Sequence, residues 1–235
     1  MRFRDRCDAG RQLASRLGRY RGWPHTVVLG LPRGGVVPAA EIAAALDLPL
    51  DVLIARKLGA PRNPEFAIGA VAENGEPYLN EEGIAASGAT VDYLAQEVTR
   101  QRAEIDRRKQ LFRGGRTLAL PDNATVILVD DGVATGATLI AAIHALRGLR
   151  VSHLVVALPV APPETADALR GLVDTLVVIS TPRPFRSVGV FYHDCRQVSA
   201  DEVGRLLAEA AEQGRALTGA SPARPTADEH VSDVR

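Results

Sequence analysis

The sequence has few cysteines, and this shortage excludes two classes of protein. Cys7 and Cys195 are the only cysteines in 235 residues, and neither belongs to a Cys-x-x-Cys pair. We therefore expect neither a disulfide framework nor a structural zinc site. Long apolar runs are also missing, since none approaches the roughly 18 residues that a membrane-spanning helix needs. The N-terminus mixes charges and lacks the apolar core of a signal peptide, so we expect a cytoplasmic protein without a membrane partner.

An excess of charge of either sign is missing as well. The 28 basic residues balance the 28 acidic ones, so the formal net charge is zero. Proteins that bind nucleic acids or membrane surfaces generally carry a basic excess, and we do not expect a nucleic-acid partner. Apolar residues make up 46% of the chain and charged residues 24%, which is typical of a globular domain with its own core.

Short apolar segments rich in β-branched residues alternate with amphipathic segments along the chain. We predict strands at residues 26–31, 50–55, 125–129, 154–158 and 175–179. We predict helices at residues 8–20, 36–46, 90–113, 138–147, 163–171 and 201–213. Continuous apolar strands separated by helices indicate a parallel sheet that is covered on both faces.

Two segments interrupt this alternation. Glycine and proline punctuate residues 58–80, where we predict a hairpin that pairs residues 68–71 with 77–79. Residues 218–235 consist mainly of proline, serine, alanine and charged side chains, and we predict that they are disordered. The chain then contains one domain, at residues 1–217, followed by a tail.

The most informative segment runs from Val126 to Thr138. A buried strand delivers Asp130 and Asp131 to the carboxyl edge of the sheet, where open parallel sheets bind their ligands. The turn that follows consists of Gly132, Val133, Ala134, Thr135, Gly136, Ala137 and Thr138. Its glycines let the backbone approach a ligand, and its N–H groups at a helix N-terminus form an anion cradle. We expect the turn to bind a phosphate and the two acids to bind vicinal hydroxyls of a sugar.

Other phosphate and metal motifs do not fit this segment. No lysine follows Gly136, as a P-loop requires, and the pattern of glycines is not that of a dinucleotide-binding loop. The alternating acids of an EF-hand are absent from the segment as well. The simpler alternative is that Asp130 and Asp131 only solvate the end of a strand, while the threonines cap the following helix.

Two further polar segments follow predicted strands at the same edge of the sheet. The first strand is followed by Pro32, Arg33, Gly34 and Gly35, and the second by Arg56 and Lys57. The glycines free the backbone to point N–H groups at an anion, and Arg33 can bind phosphate oxygens in a bidentate way. A cation at Lys57 would face the same anion. The simpler alternatives are an ordinary turn and a solvated strand end.

The segment from Val126 to Thr138 resembles the phosphoribosyl-pyrophosphate (PRPP) signature of type I phosphoribosyltransferases. The resemblance consists of four apolar residues, two acids and a Thr-Gly-x-Thr loop, with Ala137 where many members carry a second glycine. Arg4-Asp5-Arg6 with Ala9-Gly10, and the run Arg-Lys-Leu-Gly-Ala-Pro from Arg56, resemble a branch of bacterial and archaeal predicted phosphoribosyltransferases. This wider resemblance covers residues 3–207.

The resemblance implies an α/β fold of three layers, built on a parallel sheet and similar to that of type I phosphoribosyltransferases. It implies a small hood at residues 181–199 and a flexible loop at residues 60–78, which is either a lid or a dimer-forming hairpin. Phe3 would complete the hood, and Phe185 or Tyr192 would stack on a planar base. The alternative for these aromatic residues is that they only pack the hood onto the sheet.

The resemblance also implies a reaction. A nucleobase-like nitrogen acceptor displaces pyrophosphate from PRPP, with magnesium held by substrate oxygens and water rather than directly by the protein. Asp130 and Asp131 would hold the sugar, and Asp131 is the first candidate for proton transfer. Arg33, Arg56 and Lys57 would face the pyrophosphate. Two alternatives stay open, namely a PRPP-sensing regulatory protein without turnover and an unrelated α/β enzyme that acts on a sugar phosphate.

Overall fold

A computed structural model describes residues 2–73, 77–149 and 151–217 of the chain, without the side chain of Glu65. The predicted disordered tail, residues 218–235, lies outside the described residues. The strands are β1 (Thr26–Gly30), β2 (Leu50–Val52), β3 (Ala55–Ala60), β4 (Asn63–Ala72), β5 (Tyr78–Leu79), β6 (Thr125–Val129), β7 (His153–Val160) and β8 (Thr175–Ser180). The helices are α1 (Arg6–Arg16), α2 (Val36–Leu46), α3 (Glu81–Ser87), α4 (Val91–Arg113), α5 (Ala137–Gly148), α6 (Pro163–Arg170) and α7 (Ala200–Glu212).

Five of the strands form the central sheet, in the order β2-β1-β6-β7-β8. All four neighbouring pairs run parallel. The core lies on both faces, because alternate residues of a strand point in opposite directions. Val126 and Leu128 belong to one apolar cluster, whereas Ile127 and Val129 belong to the other. The predicted parallel sheet with two covered faces is thereby confirmed.

Capping residues explain where two of the helices begin and end. The predicted start of the first helix at residue 8 is wrong, because Asp5 is the N-cap and accepts a hydrogen bond from the N–H of Asp8. The long helix α4 was predicted with nearly its observed bounds, since Thr90 caps its first turn and Gly114 ends it with φ 56°. Among the described residues, each helix is too short or too polar to cross a lipid bilayer.

A second, antiparallel sheet of β3, β4 and β5 lies beside the central one. The predicted pairing of residues 68–71 with 77–79 is confirmed, because Gly69 pairs with Leu79 and Ala70 with Tyr78. The ring of Tyr78 stacks on that of His144 in α5, with centroids 3.6 Å apart. The hairpin therefore rests against the helix that begins at the proposed phosphate turn.

The second predicted strand, residues 50–55, is wrong at its end. β2 stops at Val52, and the chain enters β3 at Ala55. The N–H of Leu53 still donates to the carbonyl of Gly30 at 3.1 Å, so the chain leaves the central sheet just beyond that bond. Both Leu53 and Ile54 are buried, which is why the sequence pattern continued through the break.

A buried group of charges ties the two sheets to α4. The side chain of Arg113, at the last turn of α4, is fully buried and is paired with Glu73, at the end of β4, and with Asp51 in β2. Its Nε lies 3.4 Å from Oδ1 of Asp51. Burial raises the pKa of both carboxyl groups, and the guanidinium opposes this shift. Arg113 is therefore the cation that partly offsets the cost of burying these two acids.

Arg113→Met is expected to lower the free energy of unfolding by about 3–5 kcal/mol, because it leaves two buried acids without their cation. Urea denaturation measures this loss. Arg205 provides the matched control, since it forms an exposed pair with Glu209 within α7 at 2.6 Å. Arg205→Met should change stability by less than about 1 kcal/mol. Similar losses in the two variants would contradict the role given to Arg113.

Candidate active site

The turn after β6 lies at the carboxyl edge of the central sheet, as predicted. Two glycines give it its shape: Gly132 has φ 138°, and Gly136 has φ 75° and caps α5. A Cβ at Gly132 would lie 2.8 Å from side-chain atoms of both Val160 and Val188. The turn therefore needs glycine at position 132, because it passes between β7 and the hood.

The rest of the turn is fixed by two hydrogen bonds from neighbouring segments. The hydroxyl of Thr165 donates to the carbonyl of Ala134 at 2.7 Å, and the N–H of Val133 donates to the carbonyl of Val160 at 3.1 Å. The predicted anion cradle is corrected at this point, because the N–H of Val133 is already used. The N–H groups of the first turn of α5, which begins at Ala137, have no acceptor within the helix and lie at its positive end.

The two acids lie directly before this turn and contact each other. The N–H of Asp131 donates to Oδ1 of Asp130 at 2.9 Å. Burial and the negative charge of Asp131 raise the pKa of Asp130 well above its usual value, because a desolvated pair of like charges resists full ionisation. The pair therefore takes up a second negative charge only with difficulty.

Arg6 contacts this acid pair, and sequence reasoning gave it no role at the site. Its Nε donates to Oδ2 of Asp131 at 2.6 Å. The N-terminal segment leads it there, since the N–H of Phe3 donates to the carbonyl of Phe191 at 2.8 Å and α1 begins at Arg6. The only available signal was the Arg4-Asp5-Arg6 run, which contributed to the family resemblance without a chemical meaning.

The predicted pyrophosphate loop after β1 is brought against the same acids. A Cβ at Gly34 would overlap Oδ2 of Asp131, and a Cβ at Gly35 would lie 2.7 Å from Cα of Asp130. The peptide bond between Pro32 and Arg33 is cis, and the side chain of Arg33 is exposed. One detail differs from the prediction, because the N–H of Gly35 donates to the carbonyl of Leu31 at 3.1 Å and does not point at a ligand.

Arg56 and Lys57 lie within β3 and not at the end of a strand, so their side chains point to opposite faces. Nε of Arg56 donates to Oε1 of Gln101 in α4 at 2.9 Å, which corrects its predicted place beside a pyrophosphate. Burial and the charge of Arg108 lower its pKa. Lys57 is paired with Ala70 in the neighbouring strand and stays a candidate.

A cavity of about 230 Å³ lies beside the antiparallel pair of β3 and β4, on the face that bears Ala70. It reaches the phosphate turn, since Thr135 and Ala137 line it together with Ala70, Tyr78 and His144. Cross-strand partners in an antiparallel pair point to the same face, so Lys57 belongs to the face of the hairpin that is turned toward this cavity. The hairpin thus borders the site on the side of the turn.

The hood contains aromatic residues, but they differ in what they can contact. Tyr192 is 5% exposed, its ring packs 5.5 Å from that of Phe3, and its hydroxyl donates to the carbonyl of Asp131 at 2.5 Å. Burial raises the pKa of this phenol, so it remains a donor. Of the two alternatives for Tyr192, the structure therefore supports packing of the hood, and Phe3 packs with it. Phe185 is half-buried against Phe191 and stays a candidate.

Gly34→Ala is expected to lower the free energy of unfolding by about 1–3 kcal/mol, because its methyl group would overlap the carboxylate of Asp131. Gly204 in α7 is the control, since no atom lies within 4 Å of a Cβ placed there. Gly204→Ala should raise stability by about 0.5–1 kcal/mol. Urea denaturation compares the two, and an unchanged Gly34→Ala variant would show that the loop does not press on Asp131.

Comparison with known proteins identifies relatives along the chain. A family model described as a phosphoribosyl transferase domain matches residues 4–192. Two curated proteins of Mycobacterium tuberculosis, from strains CDC 1551 and H37Rv, are 42% identical over 238 residues. Both carry the name putative phosphoribosyl transferase. The alignment covers 99% of this chain and 53% of each relative, so the chain spans about half the length of these curated relatives.

One solved structure is similar to this chain in both fold and sequence. The crystal structure of a protein from Thermus thermophilus is 44% identical and superposes with a TM-score of 0.80. The superposition covers 89% of this chain and 99% of that one. The parallel five-stranded sheet and the match to the family model confirm the expected type I phosphoribosyltransferase-like fold. Since the family model matches most of the sequence and includes the acid pair and its turn, the chain belongs to the phosphoribosyl transferase family.

Proposed function

We propose that the chain transfers the 5-phosphoribosyl group of PRPP to a nucleobase-like nitrogen acceptor and releases pyrophosphate. The observation that carries this proposal is the acid pair between two backbone loops, one before α5 and one before α2. Asp130 and Asp131 contact Gly34 and Gly35 on one side and lead into the glycine turn on the other. A sugar with an anion at each end matches this arrangement.

The turn before α5 is the proposed site of the 5′-phosphate. The first N–H groups of α5 and the hydroxyls of Thr135 and Thr138 provide donors at the positive end of the helix. Both threonines are exposed, so they are accessible to a ligand. Binding at this remote phosphate would orient the reacting carbon of the sugar.

The acid pair is the proposed partner of the ribose hydroxyls. Carboxylates accept short, strong hydrogen bonds from hydroxyl groups. Their negative charge also lies close to where positive charge develops on the sugar ring as pyrophosphate departs, and a fixed charge of opposite sign stabilises such a state. Asp131 is the first candidate for proton transfer with the acceptor.

The leaving pyrophosphate needs positive charge, and Arg33 and Lys57 are the proposed protein cations. Magnesium is the proposed cofactor. Mg²⁺ usually keeps several waters and binds through one or two carboxylates and the phosphates of a substrate, and the adjacent carboxyl groups of Asp130 and Asp131 fit such indirect binding. When bound, the ion would neutralise charge that develops on the pyrophosphate.

The acceptor is proposed to bind beneath the hood, where Phe185 offers a partly exposed ring. A planar nitrogen heterocycle would stack on such a ring. The reaction uses small molecules, and we propose that it takes place in the cytoplasm as part of nucleotide metabolism. The hairpin of β3 and β4 is the proposed lid or, alternatively, the surface of a homodimer.

A direct test is calorimetry with PRPP and Mg²⁺, followed by pyrophosphate release across a panel of nitrogen bases. Tight binding together with release on one base supports the transferase. Binding without release on any base would instead favour a PRPP-sensing regulatory protein. Absence of binding would contradict both functions.

Asp131→Asn is expected to leave the fold intact and to lower kcat/KM for PRPP roughly 10- to 100-fold, since hydrogen bonds to a charged acceptor contribute about 1.5–3 kcal/mol. Steady-state release of pyrophosphate measures the effect. Asp122→Asn is the control, because Asp122 is exposed and precedes β6 at the opposite edge of the sheet. Normal turnover by Asp131→Asn would remove Asp131 from the mechanism.

Arg33→Ala is expected to weaken the binding of pyrophosphate more than that of ribose 5-phosphate, because the guanidinium is proposed to contact only the leaving group. Calorimetric titration of each ligand alone separates the two effects. Arg21, which is exposed and precedes β1, supplies a control that removes the same charge far from the site. Equal losses for the two ligands would contradict the placement of Arg33.

A further inference from the structure

The guanidinium of Arg6 is held by groups from two distant parts of the chain. Its Nε donates to Oδ2 of Asp131 at 2.6 Å, and its Nη1 donates to the carbonyl of Arg196 at 2.8 Å. Its Nη2 lies 3.5 Å from Sγ of Cys195, which belongs to the hood. The side chain is 13% exposed. Because all three nitrogens are engaged, the planar group has a fixed orientation.

These contacts connect Arg6 to both acids. Oδ2 of Asp131 accepts from Arg6, and Oδ1 of Asp130 accepts from the N–H of Asp131. The two carboxyl groups are also joined by a side-chain hydrogen bond. The orientation of Asp131 therefore depends on Arg6 on one side and on Asp130 on the other.

Arg6 also acts on the two acids unequally. Its Nε touches Asp131 directly, whereas burial and the charge of Asp131 raise the pKa of Asp130, and Arg6 opposes that shift only through its charge. The side chain that Arg6 holds in place is therefore that of Asp131.

We propose that Arg6 is a positioning residue of the pentose site: it holds the carboxyl group of Asp131 in one orientation, in which that group accepts a hydrogen bond from a ribose hydroxyl. This inference rests on the proposed function, because it requires the pentose to bind at the acid pair. Arg6 itself does not contact the reacting atoms. Its effect is exerted through Asp131.

The test compares wild type, Arg6→Met, Arg6→Lys and Arg11→Met. Arg11 is the matched control, since it lies on the same helix and pairs with Glu41 at the surface with half of its side chain exposed. Calorimetry measures the affinity for ribose 5-phosphate and for its 2-deoxy and 3-deoxy analogues at about pH 8, where the phosphate of the ligand is fully charged because it titrates near pH 6.

Wild type and Arg11→Met are expected to prefer ribose 5-phosphate over one of the deoxy analogues by roughly tenfold or more, since a hydrogen bond to a charged group is lost. Arg6→Met should lose most of this preference. Arg6→Lys keeps the charge but not the planar fork, and should lose part of the preference.

Several outcomes would overturn the inference. One is an Arg6→Met variant with the preference of wild type. Another is a variant that melts at lower temperature and weakens all three pentose phosphates equally, because this would show a purely structural role for Arg6. If Arg6→Met does not fold, an Arg6→Lys variant with the full preference of wild type counts against the inference. If wild type binds none of the pentose phosphates, the proposed function fails as well, which distinguishes that failure from a failure of Arg6 alone.

Discussion

Two carboxyl groups that are adjacent in the chain and partly buried at the edge of a sheet are the constraint around which this site is built. Burial makes each charge costly, and their contact makes the second charge costlier still. Three surrounding residues help to accommodate the two carboxyl groups, each in a different way. Arg6 supplies a cation, Tyr192 holds the backbone of Asp131 through its hydroxyl, and Gly34 leaves room for a carboxylate where any side chain would collide.

The same constraint explains why residues 3–6 contact the candidate site. Phe3 is buried and pairs with Tyr192 in a parallel bridge. Asp5 then caps α1, and the helix presents Arg6 at its first position. The segment from Phe3 to Arg6 thus contributes an aromatic ring to the packing of the hood and a guanidinium group to the candidate site.

The sequence was most informative where the chemistry is contiguous. Asp130, Asp131 and the turn up to Thr138 lie within one strand, loop and helix start, so the type and spacing of residues were enough to locate them. The parallel sheet was predictable for a similar reason, because fully buried strands read as continuous apolar runs.

The sequence was least informative where partners are distant or where a break is buried. The contact between Arg6 and Asp131 joins residues that are 125 positions apart, and no local pattern encodes it. The change of sheet at Leu53 and Ile54 is hidden because both residues are apolar on either side of the break. The role of Tyr192 stayed open between stacking and packing, because an aromatic ring in a hood has the same sequence signal whether it packs inward or faces a ligand.

The parallel bridge between Phe3 and Tyr192 also has a consequence for how the protein is made. Closing a loop that spans nearly the whole domain is entropically costly and is favoured only once the intervening sheet has formed. On the ribosome, the central strands can pair before the hood has emerged, but the charged edge stays incomplete until then. Ligand affinity would then arise only once the hood has joined the sheet, and a ligand that binds only the closed form would favour completion of the fold.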